Sequence, residues 1–160
     1  MQSPYDHIPG VVNTTVGYMG GSVIRPTYDQ VSTGRTGHYE VIQVEYDPSR
    51  VSYNALLDVY WKNVDPTDQY GQFADLGPQY RPVIFYHSPE QRLAAAASKE
   101  ALAASRKFEK PIVVTIKPAA TFYPAEDYHQ QYYRKQPIHY ERYKVGSGRA
   151  GFIQKKWGPK

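Results

Sequence analysis

The stretch that decides the fold is GRTGHYEVIQVEYDP, residues 34–48. Its second part, residues 39–48, is rich in β-branched and aromatic residues and predicts a β-strand. The apolar residues do not alternate strictly, so we expect both faces of this strand to be partly buried. Just after it, Ser52 is a typical N-cap for a helix at residues 53–64, where apolar side chains recur at helical spacing.

Further elements flank this strand and helix on both sides. They are strands at 11–21, 83–88 and 112–118, an Ala-rich helix at roughly 89–108, and a long Gly-, Pro- and Asp-rich loop at 65–82. The order predicts an α+β fold, a sandwich of the ferredoxin-like type with a mainly antiparallel sheet. Residues 1–8 have the pattern of the back end of an amphipathic helix. We therefore expect the start of this helix to be missing, and a strand before it would complete a β-α-β-β-α-β core.

The composition excludes several kinds of chemistry. The 160 residues suit one domain and contain no cysteine, which excludes disulfides, thiolate nucleophiles and Cys-based zinc sites in the chain as written. No apolar run is long enough for a membrane span, so we expect no membrane partner, a cytoplasmic location and, without a heptad repeat, a monomer.

The net charge of +4 is concentrated in the C-terminal residues. Residues 1–141 hold 13 bases and 15 acids, whereas residues 142–160 hold six bases and no acid. We predict a basic, irregular tail at 142–160 that packs on the same domain. It has neither a long basic run nor the motif of a nucleic-acid-binding fold, so we expect no nucleic-acid partner.

Glu40 is a candidate proton donor because it lies where a loop meets an apolar strand. Desolvation there would raise the pKa of its carboxyl group and keep the group protonated near neutral pH. The spacing alone favours an ordinary surface glutamate. His38 lies on the same side of the strand, but a His-x-Glu pair needs a third ligand. Glu126 and His129 would need their motif twice, so we expect no metal.

Two loops add polar candidates. Asp75 and Tyr80 lie in the long loop among glycines, which let a backbone approach a ligand closely, and Tyr28 follows Pro26 in another loop. Two phenols and two carboxyl groups could hold a polar oxygen. The residues by themselves indicate a cleft, with neither a nucleophile nor a substrate.

Six motifs taken in order resemble the peptide methionine sulfoxide reductase A family. They are IPGVVNTTVGYMGG, RPTY, GRTGHYEVIQVEYDP, DVYWKNVDPTD, GQFADLGPQYR and FYPAEDYHQQYYRK, between about Met1 and Gly158. The resemblance implies a catalytic domain at 1–141 that acts as a peptide-methionine (S)-S-oxide reductase. Such an enzyme repairs oxidised methionine, protein-bound or free, after oxidative stress. It implies a thioredoxin-type thiol reductant and no cofactor.

The resemblance also implies roles for individual residues. Glu40 falls on the family's acid and Asp75 on its loop aspartate, which makes these two the expected catalytic residues. Tyr28 and Tyr80 fall on the sulfoxide-binding tyrosines, and we include His38 with them as substrate-binding. In this chemistry a thiolate attacks the sulfoxide sulfur, the acid protonates the oxygen, and the phenols bind that oxygen as charge grows on it.

The resemblance implies that the family's Gly-Cys-Phe-Trp motif, with the nucleophile, would lie a few residues before Met1. It also implies that the first strand, which is central in that fold, is missing together with the start of the helix. We therefore expect the chain as written to be inactive. Three explanations stay open: a misplaced start, a selenocysteine codon read as a stop, or a relative that binds methionine sulfoxide without reducing it. Ser32, Ala74 and Ser147 stand at positions where similar proteins carry further cysteines.

Overall fold

A computed structural model of the chain describes residues 1–158. The strands are β1 (Val11–Met19), β2 (Tyr39–Tyr46), β3 (Gly71–Gln72), β4 (Asp75–Leu76), β5 (Val83–Tyr86), β6 (Thr115–Pro118) and β7 (Tyr123–Pro124). The α-helices are α1 (Gln2–Asp6), α2 (Tyr28–Ser32), α3 (Tyr53–Asn63), α4 (Pro89–Ala104), α5 (Tyr132–Lys135), α6 (Pro137–Gly146) and α7 (Arg149–Trp157). None of these helices has the length and apolar character needed to cross a bilayer.

Side-chain caps begin the two longest helices where the sequence predicts. The hydroxyls of Ser52 and Ser88 accept hydrogen bonds from backbone N–H groups in the first turns of α3 and α4, at 3.0 and 3.2 Å. Each cap satisfies a donor that has no partner within its helix. Helix α4 ends at Ala104, earlier than predicted, because Arg106 adopts a left-handed φ of 55° that a helix cannot accommodate.

The strands form a mainly antiparallel arrangement, which confirms the predicted α+β class. Strand β1 lies at the centre of a three-stranded sheet in the order β2-β1-β7, and both of its pairings are antiparallel. Strands β3 and β4 form a short antiparallel hairpin within the predicted 65–82 loop. Strands β5 and β6 pair in parallel and are joined by α4, a crossover that the sequence analysis did not predict.

The core divides into separate clusters, two of which meet at α3. One cluster packs α3 and α4 against β5 and includes Trp61, Ile84 and Ala95, while another groups Tyr5 with Leu56. Among residues 1–158, β2 and β5 each have a strand partner on one edge only. Residues of both strands line one cavity of about 710 Å³, so the two sheets do not join into one.

The prediction that residues 142–160 are irregular is wrong for the part that the structure describes. Helices α6 and α7 cover most of it, and residues 159–160 lie outside the described residues. In α6 the apolar residues do not gather on one face, and α7 has only nine residues and includes Gly151, so neither segment has a strong helical pattern. Contacts with the rest of the domain hold α7 in place. The Phe152 ring packs edge-on against Phe73, and the Arg149 guanidinium lies over the Phe73 ring.

Candidate active site

The cavity between the two sheets brings together four of the five predicted site residues. Tyr28 from α2, Glu40 from β2, Asp75 from β4 and Tyr80 from the short 3₁₀ turn before β5 all line it. The fifth, His38, does not line it. Three of the elements that carry these residues are very short, so tertiary contacts have to fix the geometry of the site.

Glu40 lies at the cavity in surroundings that favour a protonated carboxyl group. It lies directly opposite Tyr18 in the β1–β2 pairing, near the end of both strands. Its side chain is accessible from the cavity, yet protein surrounds the carboxyl group, and this desolvation raises its pKa to about 7. The carboxylate of Asp75 raises the pKa further. The Met1 amino group opposes this only when it is charged, and burial lowers the pKa of that amino group to about 5. A carboxyl group with this pKa is partly protonated at neutral pH and can deliver a proton.

Asp75 is held by the C-terminal part of the chain. The hydroxyl of Tyr143 in α6 donates a hydrogen bond to Asp75 Oδ2. Burial, followed by the interaction with Asp75, raises the pKa of the Tyr143 hydroxyl, so it stays a donor. The β3–β4 hairpin is tight as well: a Cβ atom on Gly71 would lie 2.1 Å from the carbonyl oxygen of Asp75, so only glycine fits there.

The two tyrosines are positioned by short helical turns. Tyr28 is the first residue of α2, which begins with a capping box: the Thr27 hydroxyl accepts from Gln30 N–H at 3.2 Å, and Gln30 Oε1 accepts from Thr27 N–H at 2.9 Å. The Tyr28 ring packs against His129, with centroids 4.6 Å apart. Burial, followed by nearby acidic groups, raises the pKa of Tyr80 to about 12, which keeps this phenol a hydrogen-bond donor at neutral pH.

His38 has a structural role, because its ring forms hydrogen bonds with the backbone of the loop after β1. It is buried, its Nδ1 accepts a hydrogen bond from Gly21 N–H at 3.0 Å, and its Nε2 lies 2.7 Å from the carbonyl oxygen of Val23. Because the Gly21 amide must donate, the imidazole proton belongs on Nε2, which donates to Val23. Both ring nitrogens are therefore occupied. The structure gives the predicted substrate-binding role of His38 no geometric support.

Sequence reasoning missed several residues of the cavity wall. The wall also includes Tyr18, His129, Tyr133, Tyr140 and Tyr143. The available indication was the unusual tyrosine content, 16 of 160 residues, together with the aromatic run after residue 122. Tyr140 and Tyr143 were not predicted because the sequence analysis expects an irregular tail from residue 142 and no helix α6 beside the cavity.

The described residues offer no clear metal ligand set. Nowhere in residues 1–158 does a group of three or more His, Asp or Glu side chains come close enough to hold an ion. Glu126 and His129, the pair with helical spacing, are not arranged as two ligands. Glu126 instead accepts a hydrogen bond from the Tyr28 backbone N–H at 3.2 Å.

Comparison with known sequences assigns the chain to a family. Residues 1–160 match the family described as "Peptide methionine sulfoxide reductase". The "Peptide methionine sulfoxide reductase MsrA" of Bacillus pumilus is 53% identical over 160 residues, which are 100% of this chain and 90% of that protein. A protein with the same name from Listeria monocytogenes serotype 4a is 53% identical over 157 residues, 98% of this chain and 89% of that protein.

Solved structures show the same fold. Methionine sulfoxide reductase A of Corynebacterium diphtheriae aligns with a TM-score of 0.72 and 36% identity, over 85% of this chain and 69% of that chain. Reduced Mxr1 from Saccharomyces cerevisiae gives a TM-score of 0.75 and 34% identity, over 80% of this chain and 73% of that chain. The class of protein is therefore an α+β oxidoreductase. Within that class, the chain belongs to the peptide methionine sulfoxide reductase family, and the prediction from its motifs is confirmed.

Proposed function

We propose that this site serves the reduction of the S epimer of methionine sulfoxide, protein-bound or free, to methionine. The observation that carries the proposal is the convergence of one partly protonated carboxyl group, Glu40, and two phenols, Tyr28 and Tyr80, on one cavity. A sulfoxide oxygen needs hydrogen-bond donors and a proton as it leaves sulfur. Groups of this kind, placed in advance around the oxygen, stabilise the charge that develops on it.

The reaction balances as an oxygen transfer. A thiolate or selenolate attacks the sulfoxide sulfur and forms a chalcogen–sulfur bond while Glu40 gives its proton to the oxygen. The sulfur–oxygen bond breaks and the oxygen leaves as hydroxide. The hydroxide then attacks the chalcogen, the chalcogen–sulfur bond breaks, the substrate departs as a thioether, and the nucleophile is left as a sulfenic or selenenic acid. Two thiol equivalents, which we propose come from a thioredoxin-type reductant, regenerate the nucleophile and release water. Asp75 helps to keep Glu40 protonated, because its negative charge disfavours a second carboxylate nearby.

The attacking chalcogen is the group that the 160 residues do not provide, since they contain no cysteine. We propose that an extended segment before Met1 carries it and lies between β2 and β5. Two observations support this place: the free edges of the two strands and the cavity that both border. An inserted strand would pair with both edges.

The in-frame codons upstream of Met1 test the proposed nucleophile. A cysteine or selenocysteine codon in a Gly-Cys-Phe-Trp context supports the reductase, whereas a genuine stop without that context supports the second candidate, a non-catalytic protein that binds methionine sulfoxide. The absence of cysteine favours this second candidate for the chain as written. A monomeric state and a cytoplasmic location belong to the proposal for the reductase.

A turnover assay tests the reaction itself. With dithiothreitol and N-acetyl-methionine (S)-sulfoxide, we expect no turnover by the 160-residue chain. We expect turnover by the protein that also carries the upstream in-frame residues. Turnover by the cysteine-free chain, or inactivity of the longer protein with its chalcogen in place, would contradict the proposal.

A further inference from the structure

Glu126 forms contacts with three tyrosines: Tyr28, Tyr128 and Tyr18. It lies after β7, outside the cavity lining. Its Oε2 accepts hydrogen bonds from the backbone N–H of Tyr28 and from the hydroxyl of Tyr128, each at 3.2 Å, and its Oε1 lies 3.5 Å from the hydroxyl of Tyr18. No salt bridge to Glu126 is present in residues 1–158. Its partners are neutral hydrogen-bond donors, one backbone amide and two tyrosine hydroxyls, and the carboxylate can fix their positions.

The contact with Tyr28 matters because α2 has only five residues. The first N–H groups of a helix have no partner within the helix, and so short a helix is not stable by itself. The capping box satisfies Gln30 and Thr27, whereas Glu126 supplies the acceptor for Tyr28. Hydrogen bonds to a carboxylate are stronger than those between neutral groups. The main chain that carries one of the two site phenols is therefore fixed by Glu126.

The contact with Tyr18 extends the same control toward the acid. Tyr18 is buried, with 1% of its surface exposed, and it pairs with Glu40 across the β1–β2 ladder. Glu126 Oε1 makes a long contact, 3.5 Å, with the hydroxyl at the far end of the Tyr18 side chain. One carboxylate thus contacts the backbone of Tyr28 and the cross-strand neighbour of Glu40.

Glu126 can exert this control because its own segment is locked to β1. The side chain of Gln130 imitates a neighbouring strand: its Oε1 accepts from Val16 N–H at 2.9 Å, and its Nε2 donates to the carbonyl oxygen of Val16 at 2.8 Å. The backbone N–H of Ala125 donates to the same carbonyl oxygen at 2.9 Å. These bonds flank Glu126 in sequence, so its carboxylate extends from a fixed base.

We propose that Glu126 is a positioning residue that holds Tyr28, and through Tyr18 the Glu40 end of β2, in the arrangement that binds the sulfoxide oxygen. This rests on the proposed function. Glu126 is outside the cavity lining and acts through the residues that it holds.

Amide hydrogen exchange in the 160-residue chain tests the hold on Tyr28 without any need for activity. In Glu126→Ala and in Glu126→Asp, whose carboxylate is one methylene too short, we expect protection of the Tyr28 amide to fall by about tenfold. In Glu126→Gln, which keeps the acceptor at the same length, we expect most of the protection to remain. The Val31 amide, which bonds the Thr27 carbonyl at 3.0 Å, is the internal control. Asp127→Ala, which removes a fully exposed neighbouring carboxylate, should leave Tyr28 unchanged.

Unchanged protection of Tyr28 in the alanine and aspartate variants would overturn the proposal. If the alanine variant also loses protection at Val31, it has unfolded more widely, and the comparison of the aspartate and glutamine variants decides. Equal protection of the Tyr28 amide in those two variants would then show that the length of the side chain at position 126 does not matter, which would contradict the proposal.

Binding of N-acetyl-methionine (S)-sulfoxide, followed by NMR, separates this inference from the proposed function. We expect Glu126→Asp to weaken binding by about tenfold, with Glu126→Gln close to the unmodified chain. Equal affinity in the aspartate and glutamine variants would overturn the positioning role. If the protein that also carries the upstream in-frame residues neither binds nor reduces the sulfoxide, the proposed function fails, while the exchange pattern of the 160-residue chain still reports whether Glu126 holds Tyr28.

Discussion

The two sides of the cavity differ in how completely this chain builds them. On the polar side, Glu40, Asp75 and Tyr80 are supported by a strand, a tight hairpin and a helix that returns from the C-terminal part of the chain. On the apolar side, the outer edges of β2 and β5 have no strand partner in the described residues, although β2 itself carries Glu40. The difference teaches that the groups that we propose bind the sulfoxide oxygen can be assembled independently of the segment that we propose to carry the nucleophile.

The largest expected effect lies on the polar side. In the protein that carries the upstream in-frame residues, we expect Glu40→Gln to lower kcat/KM by about 10²- to 10⁴-fold, because glutamine cannot donate the proton that the leaving oxygen needs. Steady-state kinetics with N-acetyl-methionine (S)-sulfoxide measures this. Glu45→Gln on the same strand, at an exposed position, is the matched control. A loss of less than threefold at Glu40 would remove the acid from the mechanism.

On the apolar side we expect a large effect on stability. Unpaired strand edges and an open apolar cavity should reduce the free energy of unfolding of the 160-residue chain by several kcal/mol, out of a typical total of about 5–15 kcal/mol. Urea and thermal unfolding, compared with the longer protein, measure the difference. A sharp, cooperative transition of the 160-residue chain above about 55 °C would show that the open side costs little.

A smaller effect is expected where the C-terminal helix supports the polar side. Tyr143→Phe removes the hydroxyl that donates to Asp75 and leaves this carboxylate with one fewer partner. We expect kcat/KM of the longer protein to fall by about five- to tenfold, the scale of one hydrogen bond to a charged group. Tyr70→Phe is the control, since the Tyr70 side chain is 69% exposed. Equal activity of the two variants would mean that α6 does not tune the site.

The smallest expected effect is a pH dependence of stability that comes from Glu40. Its folded-state pKa, about 7, lies above the ordinary value of 4.5. The folded state therefore binds the proton more tightly, and the stabilising contribution, complete below pH 4.5, is lost as the pH rises toward and through 7. Urea unfolding from pH 5 to 8 should show a decline in the unmodified chain that Glu40→Gln reduces. A decline of the same size in both proteins would assign it to other groups.

The sequence predicts the elements whose patterns are local and misses those that depend on distant contacts. Ser52 and Ser88 mark α3 and α4 because a cap acts within one turn. The parallel β5–β6 pair and helices α6 and α7 were missed, since a partner strand and a supporting ring such as Phe73 cannot be read from one segment. For the site, Glu40 and Asp75 were selected. Tyr143 was not, because its role exists only once α6 packs beside the hairpin.

His38 is the opposite case: the sequence analysis expects it in the site, and the structure places it outside the cavity lining. Its place two residues before Glu40 favoured a role in the site, and alternation along a strand put both residues on one side. The structure uses both ring nitrogens of His38 to fix the turn after β1, through Gly21 and Val23. Sequence spacing cannot distinguish these two uses, because the loop partner is 17 residues away.

The most direct test of the account is a crystal structure with N-acetyl-methionine (S)-sulfoxide bound in the cavity. We expect the sulfoxide oxygen to lie within hydrogen-bond distance, about 2.6–3.2 Å, of the Tyr28 and Tyr80 hydroxyls and the Glu40 carboxyl group, with its sulfur facing the gap between β2 and β5. An oxygen that points to solvent, away from all three groups, would contradict the central claim.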